Sequence, residues 1–404
     1  MASGSGDSAK AKATKLVSGG RSGDFAARVV NPPIWRASTH LYDSCADLRD
    51  GTRTNADGQF FYGRRGAPTQ WALADALTGL EPGADGTVLY PSGVAALVGA
   101  LMTVLRKGDV LLVTDNAYEP TRTTAMGLLK RYGVDHRFFD PLDLKAYEDA
   151  FCERTKAVML ESPGSLTMEV CDVPALAAIA RQKGAVSLLD NTWATSLGFS
   201  ALEHGCDIAI TALTKHVGGH SDLMMGAASA GERLYTRLRV TAQQLGHVVS
   251  PDDAALALRG LRTMGLRLDR QTQTALAIAQ WLQAREEVAH VLCPMLPGAP
   301  GHDLWERDFT GGCGLFSFVL KGGDDAARCR LVDALELFGI GYSWGGFESL
   351  ALPFDVEPVR SQMAWPKPGW GVEDRYAVRL SIGLEDEADL IADLDQAFAS
   401  MGRA

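Results

Sequence analysis

Short apolar runs alternate with helical patterns from Gly66 onward, and this alternation is what most constrains the fold. The runs lie at 87–92 (TVLYPS), 109–115 (DVLLVTD), 157–162 (AVMLES), 185–191 (AVSLLDN) and 208–214 (IAITALT). Helical patterns separate them. Alternation of this kind is typical of a mostly parallel sheet that helices cover on both faces. We therefore predict an α/β fold, with chemistry at the carboxyl ends of the strands.

The pattern changes in the last third of the chain. A long helical pattern covers 251–285, and candidate strands at 314–320 and 376–382 flank a helical pattern at 324–338. A final helical pattern covers 387–401. This order of elements predicts a smaller α+β domain that is joined to the α/β part through a long helix.

The predicted organisation has three parts. Residues 1–65 form an N-terminal tail and an arm, of which the first ~15 residues are a mobile tail by composition. Residues 66–262 form the large α/β domain, and residues 263–404 form the C-terminal α+β domain. The arm has few periodic segments, and we expect it to reach over a neighbouring subunit.

Composition narrows the class of protein. The 404 residues are 46% hydrophobic and 22% charged, as in ordinary globular proteins. A net charge of −10 argues against a nucleic-acid partner, and no apolar run reaches the ~18 residues of a membrane span. The 7 cysteines include no CxxC pair, which is typical of reduced thiols. We therefore expect a cytoplasmic protein with no membrane partner.

A strand end followed by a helix start at 90–96 (YPSGVAA) suits a phosphate group. The free N–H groups of a helix start and its dipole favour anions, and Gly93 permits close approach of the backbone. Ser92 and Val94 flank that glycine. The ordinary alternative is a helix that Ser92 caps without any ligand.

Asp190 and Lys215 each end an apolar run. A carboxylate after such a run needs a cation or a protonated ring nitrogen, and a partly desolvated lysine can form a Schiff base. Taken singly, the ordinary interpretations are an aspartate that caps a turn and a solvated lysine. Together with the helix start at Ser92, the pair matches pyridoxal phosphate (PLP), which needs a lysine and an acid near its ring nitrogen.

Further candidate residues lie outside these runs. Tyr118 opens a helix, where its ring could stack on a planar cofactor or simply pack on the sheet. Tyr62 and Arg64, in the arm segment YGRRG, suit phosphate recognition, although a solvated basic turn is the usual interpretation. Arg379 alternates with the apolar residues of 376–382 and therefore points away from the apolar face. It could bind a carboxylate, or it could be an exposed strand arginine.

A metal site is not predicted. His216 and His220 have the i, i+4 spacing of some zinc ligands in the segment HVGGH. The zinc-protease motif requires a glutamate after its first histidine, where this chain has Val217, and the two glycines argue against a helix.

With these residues in place, the sequence resembles the Cys/Met metabolism family of PLP enzymes, and within it the bacterial cystathionine β-lyase branch. The resemblance runs from about Lys15 to the C-terminus. The stretches that carry it are FYGRRGAPT, NAYEPTR, LESPGSLTMEV, LDNTWAT, TKHVGGHSD, GLRTMGLRL, YSWGGFESL and RLSIGLED. It implies the PLP-dependent transferase fold (fold type I, aspartate aminotransferase-like), with a mostly parallel seven-stranded sheet.

The resemblance also implies roles toward the cofactor. Lys215 would hold PLP as a Schiff base and move protons, while Asp190 would pair with the ring nitrogen. Tyr118 would stack on the ring and take part in catalysis and substrate binding. The residues implied to bind the phosphate are Ser92, Gly93, Val94 and Thr214, with Tyr62 and Arg64 reaching the phosphate of a neighbouring subunit.

Two further implications concern assembly and substrate. Contacts across subunits imply a homo-oligomer, in this family commonly a dimer of dimers. Arg379, helped by Ser343 and Trp344, would bind the carboxylate of a small amino-acid thioether.

The implied activity is cleavage of L-cystathionine to homocysteine, pyruvate and ammonia in methionine biosynthesis, with activity on cystine or cysteine S-conjugates as well. Trp344 in YSWGG favours a β-lyase, because γ-type relatives commonly have leucine there. Departures from the family pattern at Val94, Ala212 and Gln243 concern the distal substrate pocket. The alternatives are a γ-type relative (γ-synthase, γ-lyase or sulfhydrylase) and a cofactor-binding module without lyase activity.

Overall fold

The computed structural model describes residues 10–21, 29–53, 57–355, 357, 360–365, 367–369, 371 and 373–401. The helices are, in chain order, α1 (Lys12–Ser18), α2 (Cys45–Arg53), α3 (Pro68–Leu80), α4 (Gly93–Val104), α5 (Glu119–Thr123), α6 (Leu144–Asp149), α7 (Val173–Gln182), α8 (Thr195–Gly198), α9 (Glu232–Leu245), α10 (Pro251–Arg262), α11 (Met264–Gln283), α12 (His302–Asp308), α13 (Asp325–Asp333) and α14 (Glu387–Phe398). A 3-10 turn covers Gly63–Arg65, and a π-helical segment, Thr124–Leu129, continues α5.

The strands are, in chain order, β1 (Gly86–Tyr90), β2 (Val110–Thr114), β3 (Asp135–Phe139), β4 (Thr155–Glu161), β5 (Val186–Asp190), β6 (Ile208–Ala212), β7 (Gly226–Ala230), β8 (Val288–Leu292), β9 (Leu315–Leu320), β10 (Gly339–Ile340), β11 (Leu350–Phe354) and β12 (Ala377–Ser381). The five runs predicted as strands are β1, β2, β4, β5 and β6.

The chain folds as two compact units, of which the first comprises 1–103 and 207–265. Its strands lie in the order β1–β7–β6, and β7 is antiparallel to both neighbours. Consequently β1 and β6 point the same way. Helices α3 and α9 pack on β1, and α10 packs on α3. Tyr90 of β1 and Ala228 of β7 are both fully buried in this unit.

The second unit comprises 104–206 and 266–404, and its first part is a parallel sheet. The strand order is β3–β2–β4–β5, with every neighbouring pair parallel. All five residues of β2 (VLLVT) are buried. Burial on both faces explains why this strand is a continuous apolar run without alternation. Helix α7 packs on β4 and β5.

A second sheet in the same unit is built from the C-terminal part of the chain. Its order is β10–β11–β12–β9–β8, and all pairs except β10–β11 are antiparallel. The strands predicted at 314–320 and 376–382 are β9 and β12, which pair directly. The Phe318 and Phe398 rings, 6.0 Å apart, join this sheet to α14. The predicted division at residues 65 and 262 stays a prediction.

Three predicted segments differ from the structure. The helix predicted over 251–285 is two helices, because the backbone at Thr263 (φ −109°, ψ 7°) leaves helical geometry. The helix predicted to reach residue 338 ends at Asp333. The carboxylate of Asp393 accepts the N–H groups of Glu336 and Leu337, at 2.9 and 2.8 Å, and so directs the chain away from the helix.

The predicted mobile tail is the third difference. Residues 1–9 lie outside the described residues, but α1 begins at Lys12, inside the predicted tail. Leu16 of α1 is buried, and its carbonyl accepts a hydrogen bond from Arg262 at 2.7 Å. The lysine-rich composition suggested solvation, whereas one apolar side chain and one carbonyl dock the helix. None of the helices in the described ranges is long and apolar enough to cross a bilayer.

Candidate active site

In the first unit, the chain leaves β1 and β6 at the same end of the sheet. Tyr90, the last residue of β1, and Ala212, the last residue of β6, are both in register with Gly226 of β7. Ser92 and Thr214 each follow two residues after these strand ends. We call Ser92, Gly93, Val94, Thr214 and Lys215 the Ser92 cluster.

The Ser92 cluster contains the start of helix α4. Ser92 Oγ accepts the N–H of Ala95 at 3.0 Å, which leaves the hydroxyl proton for donation. The N–H groups of Gly93 and Val94 have no acceptor within the helix, because they belong to its first turn. A Cβ atom at Gly93 would lie 2.7 Å from the Cβ of Ala212. The backbone therefore passes too close to β6 for any side chain at this position, and the predicted approach to a phosphate stays a prediction.

Thr214 and Lys215 lie in the turn after β6. The Thr214 hydroxyl accepts the N–H of Met225 at 3.0 Å and donates to the Met225 carbonyl at 3.1 Å. The Lys215 carbonyl accepts the N–H of Gly219 at 2.7 Å, and the residue is half-buried. These hydrogen bonds fix the backbone of the turn that carries Lys215.

In the second unit, two carboxyl groups lie at the end of adjacent parallel strands. Glu161 of β4 is in register with Asp190 of β5, so their side chains leave the same face. Asp190 accepts the N–H of Thr192 at 3.1 Å. Glu161 Oε2 accepts the N–H of Tyr118 at 2.6 Å, and Tyr118 is the residue that precedes helix α5. We call Tyr118, Glu161 and Asp190 the Asp190 cluster.

The Asp190 cluster is rich in negative charge. Burial raises the pKa of the Glu161 carboxyl well above its usual range, and the charge of Asp190 raises it further. Burial also raises the pKa of the Tyr118 hydroxyl, with Asp190 and Glu161 acting in the same direction. Tyr118 is therefore a neutral phenol at physiological pH. Sequence analysis quoted Glu161 within LESPGSLTMEV but assigned it no role, although its position at the end of β4 was a signal.

Arg379 lies on β12 and is 8% exposed, which excludes the exposed strand arginine considered above. Its Nη2 donates to the Ser343 carbonyl at 2.8 Å, and its buried Nε has no hydrogen-bond partner in the described part of the chain. Burial lowers the pKa of the guanidinium to about 10, so it stays charged at neutral pH. A buried cation with an unused donor suits a carboxylate ligand.

The segment around Ser343 is shaped by its backbone. Ser343 has φ 77°, in the left-handed region that a serine rarely adopts. This conformation turns the Ser343 carbonyl toward Arg379. The next residue, Trp344, is half-buried. Strained backbone of this kind concentrates at functional sites.

Tyr62 and Arg64 lie in the arm of the first unit. Tyr62 precedes the Gly63–Arg65 turn and its side chain is exposed. Arg64 Nη1 donates to the Gln243 carbonyl of the same chain at 2.8 Å. The expectation that both residues reach a neighbouring subunit stays a prediction.

The sequence profile of the Cys/Met metabolism PLP-dependent enzymes matches residues 13–399. The chain belongs to this family. The family is PLP-dependent, which confirms the predicted cofactor.

Individual relatives agree. The chain is 43% identical to a cystathionine β-lyase of Escherichia coli (strain K12), over 96% of this chain and 98% of the relative. It is 42% identical to a cystathionine β-lyase of Bordetella avium, over 93% of both chains. The crystal structure of metB from Corynebacterium glutamicum superposes with a TM-score of 0.87 at 28% identity, covering 97% of this chain and 99% of that one. This likeness confirms the predicted fold class.

The donor set of the chain fits PLP. The cofactor carries a phosphate, a ring nitrogen that takes a proton, and a carbonyl that reacts with an amine. The Ser92 cluster offers helix-start N–H groups, hydroxyls and an amine, and the Asp190 cluster offers a carboxylate and an aromatic ring. In the ranges that the structure describes, no group of three or more His, Cys, Asp and Glu side chains could hold a metal ion.

Proposed function

We propose that this chain is a carbon–sulfur β-lyase that cleaves L-cystathionine to homocysteine, pyruvate and ammonia, and that it also accepts cystine or cysteine S-conjugates. The observation that carries the proposal is the 43% identity to a cystathionine β-lyase over 96% of the chain. Trp344 supports β-cleavage over γ-cleavage, as argued from the sequence. Methionine biosynthesis is the pathway that such an activity serves.

PLP, when bound, supplies a carbonyl carbon for the substrate amine and a ring that withdraws electrons from Cα. In our proposal, the helix-start N–H groups of Gly93 and Val94 and the Ser92 hydroxyl bind its phosphate. The Thr214 hydroxyl joins them when its proton turns away from the Met225 carbonyl. Asp190 holds a proton at the ring nitrogen, and the neutral ring of Tyr118 stacks on the cofactor.

The remaining residues act on the substrate. Arg379 binds the carboxylate through its unused Nε, with Ser343 and Trp344 beside it, and so fixes the direction of the Cα–H bond. Lys215 would supply the amine that holds the cofactor, and its free amine would remove the Cα proton of the substrate. Loss of this proton would break the Cβ–S bond. The sulfur would take up one proton in exchange and leave as the thiol of homocysteine, and water would convert the three-carbon remainder to pyruvate and ammonia.

We also propose that the active form is a homo-oligomer, a dimer of dimers, in which Tyr62 and Arg64 contact the phosphate bound by a neighbouring subunit. The exposed side chains of Leu41 and Tyr62 in the arm support this idea, because apolar surface of this kind is commonly covered by a partner.

All seven cysteines are free thiols. Free thiols support a cytoplasmic location.

Product identity tests the proposed activity. We expect purified, PLP-loaded protein to release pyruvate and homocysteine from L-cystathionine. Release of 2-oxobutyrate and cysteine would instead establish γ-cleavage. Bound PLP without turnover of any amino acid would indicate a binding module.

Lys215→Ala tests the site. We expect it to retain PLP through the phosphate contacts but to lose nearly all turnover, because no amine remains to remove the Cα proton. Lys145→Ala is the matched control, since that lysine is exposed and pairs with Asp149. Substantial activity of Lys215→Ala would remove Lys215 from this role.

A further inference from the structure

Glu161 is a carboxyl group that the proposed mechanism leaves unused, although it lies beside the residues the mechanism needs. It ends β4 in register with Asp190 of β5, and residues paired in a parallel ladder project from the same face. The charge of Asp190 therefore disfavours a second negative charge on Glu161, because two neighbouring carboxylates repel each other.

The hydrogen bond from Tyr118 gives Glu161 a positional task. Glu161 Oε2 accepts the Tyr118 N–H at 2.6 Å across a sequence separation of 43 residues. Tyr118 precedes helix α5, and its backbone (φ −49°, ψ 136°) is extended there. The bond therefore fixes how the chain enters α5 and, with it, the direction of the Tyr118 ring.

The charges that face Glu161 come from three segments. Asp190 on β5 disfavours a second negative charge, whereas Arg360, which follows β11, and the Tyr118 N–H favour it. Arg360 is partly committed elsewhere, because its Nη2 donates to the Ser165 carbonyl at 2.8 Å. Burial and Asp190 outweigh the favourable groups, and the pKa of Glu161 is raised.

We propose that Glu161 is a positioning residue that, in its neutral carboxylic acid form, holds Tyr118 through the hydrogen bond to its N–H. In this form Glu161 adds no second negative charge beside Asp190. The inference rests on the proposed function, in which Asp190 must be ionised to hold a proton at the ring nitrogen. Glu161 stays neutral, Asp190 keeps its charge, and the hydrogen bond to the Tyr118 N–H keeps the ring of Tyr118 in place. As pH rises and Glu161 loses its proton, this division of charge is lost.

Two variants separate the two tasks. Glu161→Gln keeps an acceptor for the Tyr118 N–H but cannot ionise, whereas Glu161→Leu removes the acceptor at similar size. We expect Glu161→Leu to lower kcat about tenfold to a hundredfold, since a small misplacement of a ring is costly, with little change in KM because Arg379 is intact. Glu161→Gln should restore most of that loss and should move the alkaline limb of the kcat profile to higher pH. Glu153→Leu, at an exposed site, is the control.

A spectroscopic readout does not depend on turnover. Infrared spectra of the wild-type and Glu161→Gln holoenzymes at neutral pH would be subtracted from each other. The carbonyl stretch of a protonated carboxyl should be present in the wild type and absent in Glu161→Gln. Absence of this band in the wild type would overturn the proposal, as would superimposable pH profiles or a Glu161→Gln as impaired as Glu161→Leu. If Glu161→Leu does not fold, the infrared band and the Glu161→Gln profile still decide. Failure of the wild type to release pyruvate would reject the proposed function instead, and the infrared result would stand by itself.

Discussion

Asp115 and Arg379 are both buried charges of the second unit, but they are treated in opposite ways. The Asp115 carboxylate, with no exposed surface, accepts hydrogen bonds from Arg122 at 2.7 Å and from the backbone and hydroxyl groups of residues 361–363 at 2.8–3.1 Å. Arg379 makes one hydrogen bond, to Ser343, and its buried Nε has no partner in the described residues. A saturated charge supports the fold, and an unsaturated one is available to a ligand.

The titration behaviour of the two groups differs in the same way. Burial alone would raise the pKa of Asp115, but the N–H groups of Met363 and Gln362, with Ser361 and Arg122, lower it overall. Burial lowers the pKa of Arg379 and outweighs the opposing electrostatic effect of Tyr118. The protein therefore favours the charged form at Asp115 and disfavours it at Arg379.

The largest expected effect comes from removing the saturated charge. Asp115→Asn should lower the free energy of unfolding by about 3–5 kcal/mol, because Arg122 is left buried without its partner. Urea unfolding would measure it. Asp149→Asn, which breaks an exposed pair with Lys145, should leave the free energy of unfolding nearly unchanged, because solvent screens such pairs. A loss below about 1 kcal/mol at Asp115 would erase the distinction between the two buried charges.

Removing the unsaturated charge of Arg379 should weaken substrate binding without lowering the free energy of unfolding. Arg379→Met should weaken substrate binding by about 1.5–3 kcal/mol, roughly 10- to 150-fold, because a charged hydrogen bond is lost. Its free energy of unfolding should stay equal or rise, since an apolar side chain replaces a poorly paired buried charge. Binding of an unreactive amino acid and urea unfolding report the two quantities, with the exposed Arg131→Met as control. Lost stability with unchanged affinity would place Arg379 among the structural charges.

The pH dependence of stability sharpens the contrast. Because the folded pKa of Asp115 is lowered, its contribution is fully present above the unfolded pKa, near 3.8, and is lost as pH falls through the folded value. The stability gap between wild type and Asp115→Asn should be constant from neutral pH to about 5 and should narrow below about 4, by at most ~1.4 kcal/mol per pH unit for one proton. Urea unfolding over a pH series checks this. A gap that stayed constant down to acid pH would show that Asp115 does not titrate as the geometry requires.

The smallest expected effect tests one donor of the saturated set. Ser361→Ala removes a hydroxyl that donates to Asp115 at 2.8 Å but leaves the backbone donors in place. We expect a loss of about 1 kcal/mol of unfolding free energy. Ser400→Ala, at a site near the C-terminus, serves as the comparison in the same urea titration. A loss as large as that of Asp115→Asn would mean that the donors act as an indivisible group.

Sequence patterns predicted the strands whose ends carry the Ser92 and Asp190 clusters. These strands are apolar runs, and each ends at a polar residue or turn, so Ser92, Asp190 and Lys215 could be located by position alone. Strand β7 was not predicted, because its sequence GAASA has neither branched nor aromatic residues. At Gly226 a small residue is required, because a Cβ there would lie 2.3 Å from the Ser92 carbonyl oxygen.

Other features depend on contacts that a local pattern does not contain. Alternation in β12 turned Arg379 away from the apolar face, but it could not say that the other face is buried as well. Apart from Arg122, the hydrogen-bond donors to the Asp115 carboxylate in the described residues lie 246 to 248 residues further along the chain. The role we propose for Glu161 required the strand register that places it beside Asp190.

The distance between Asp115 and Ser361 along the chain also bears on synthesis. A ribosome adds about 5–20 residues per second, so the 246 residues between them take about 12–50 s. Throughout that time β2 and Arg122 have been made, but the N–H groups of residues 361–363 that complete the set of donors to Asp115 have not. Arg122 and water are therefore the partners on which this carboxylate depends until the last tenth of the polypeptide is synthesised.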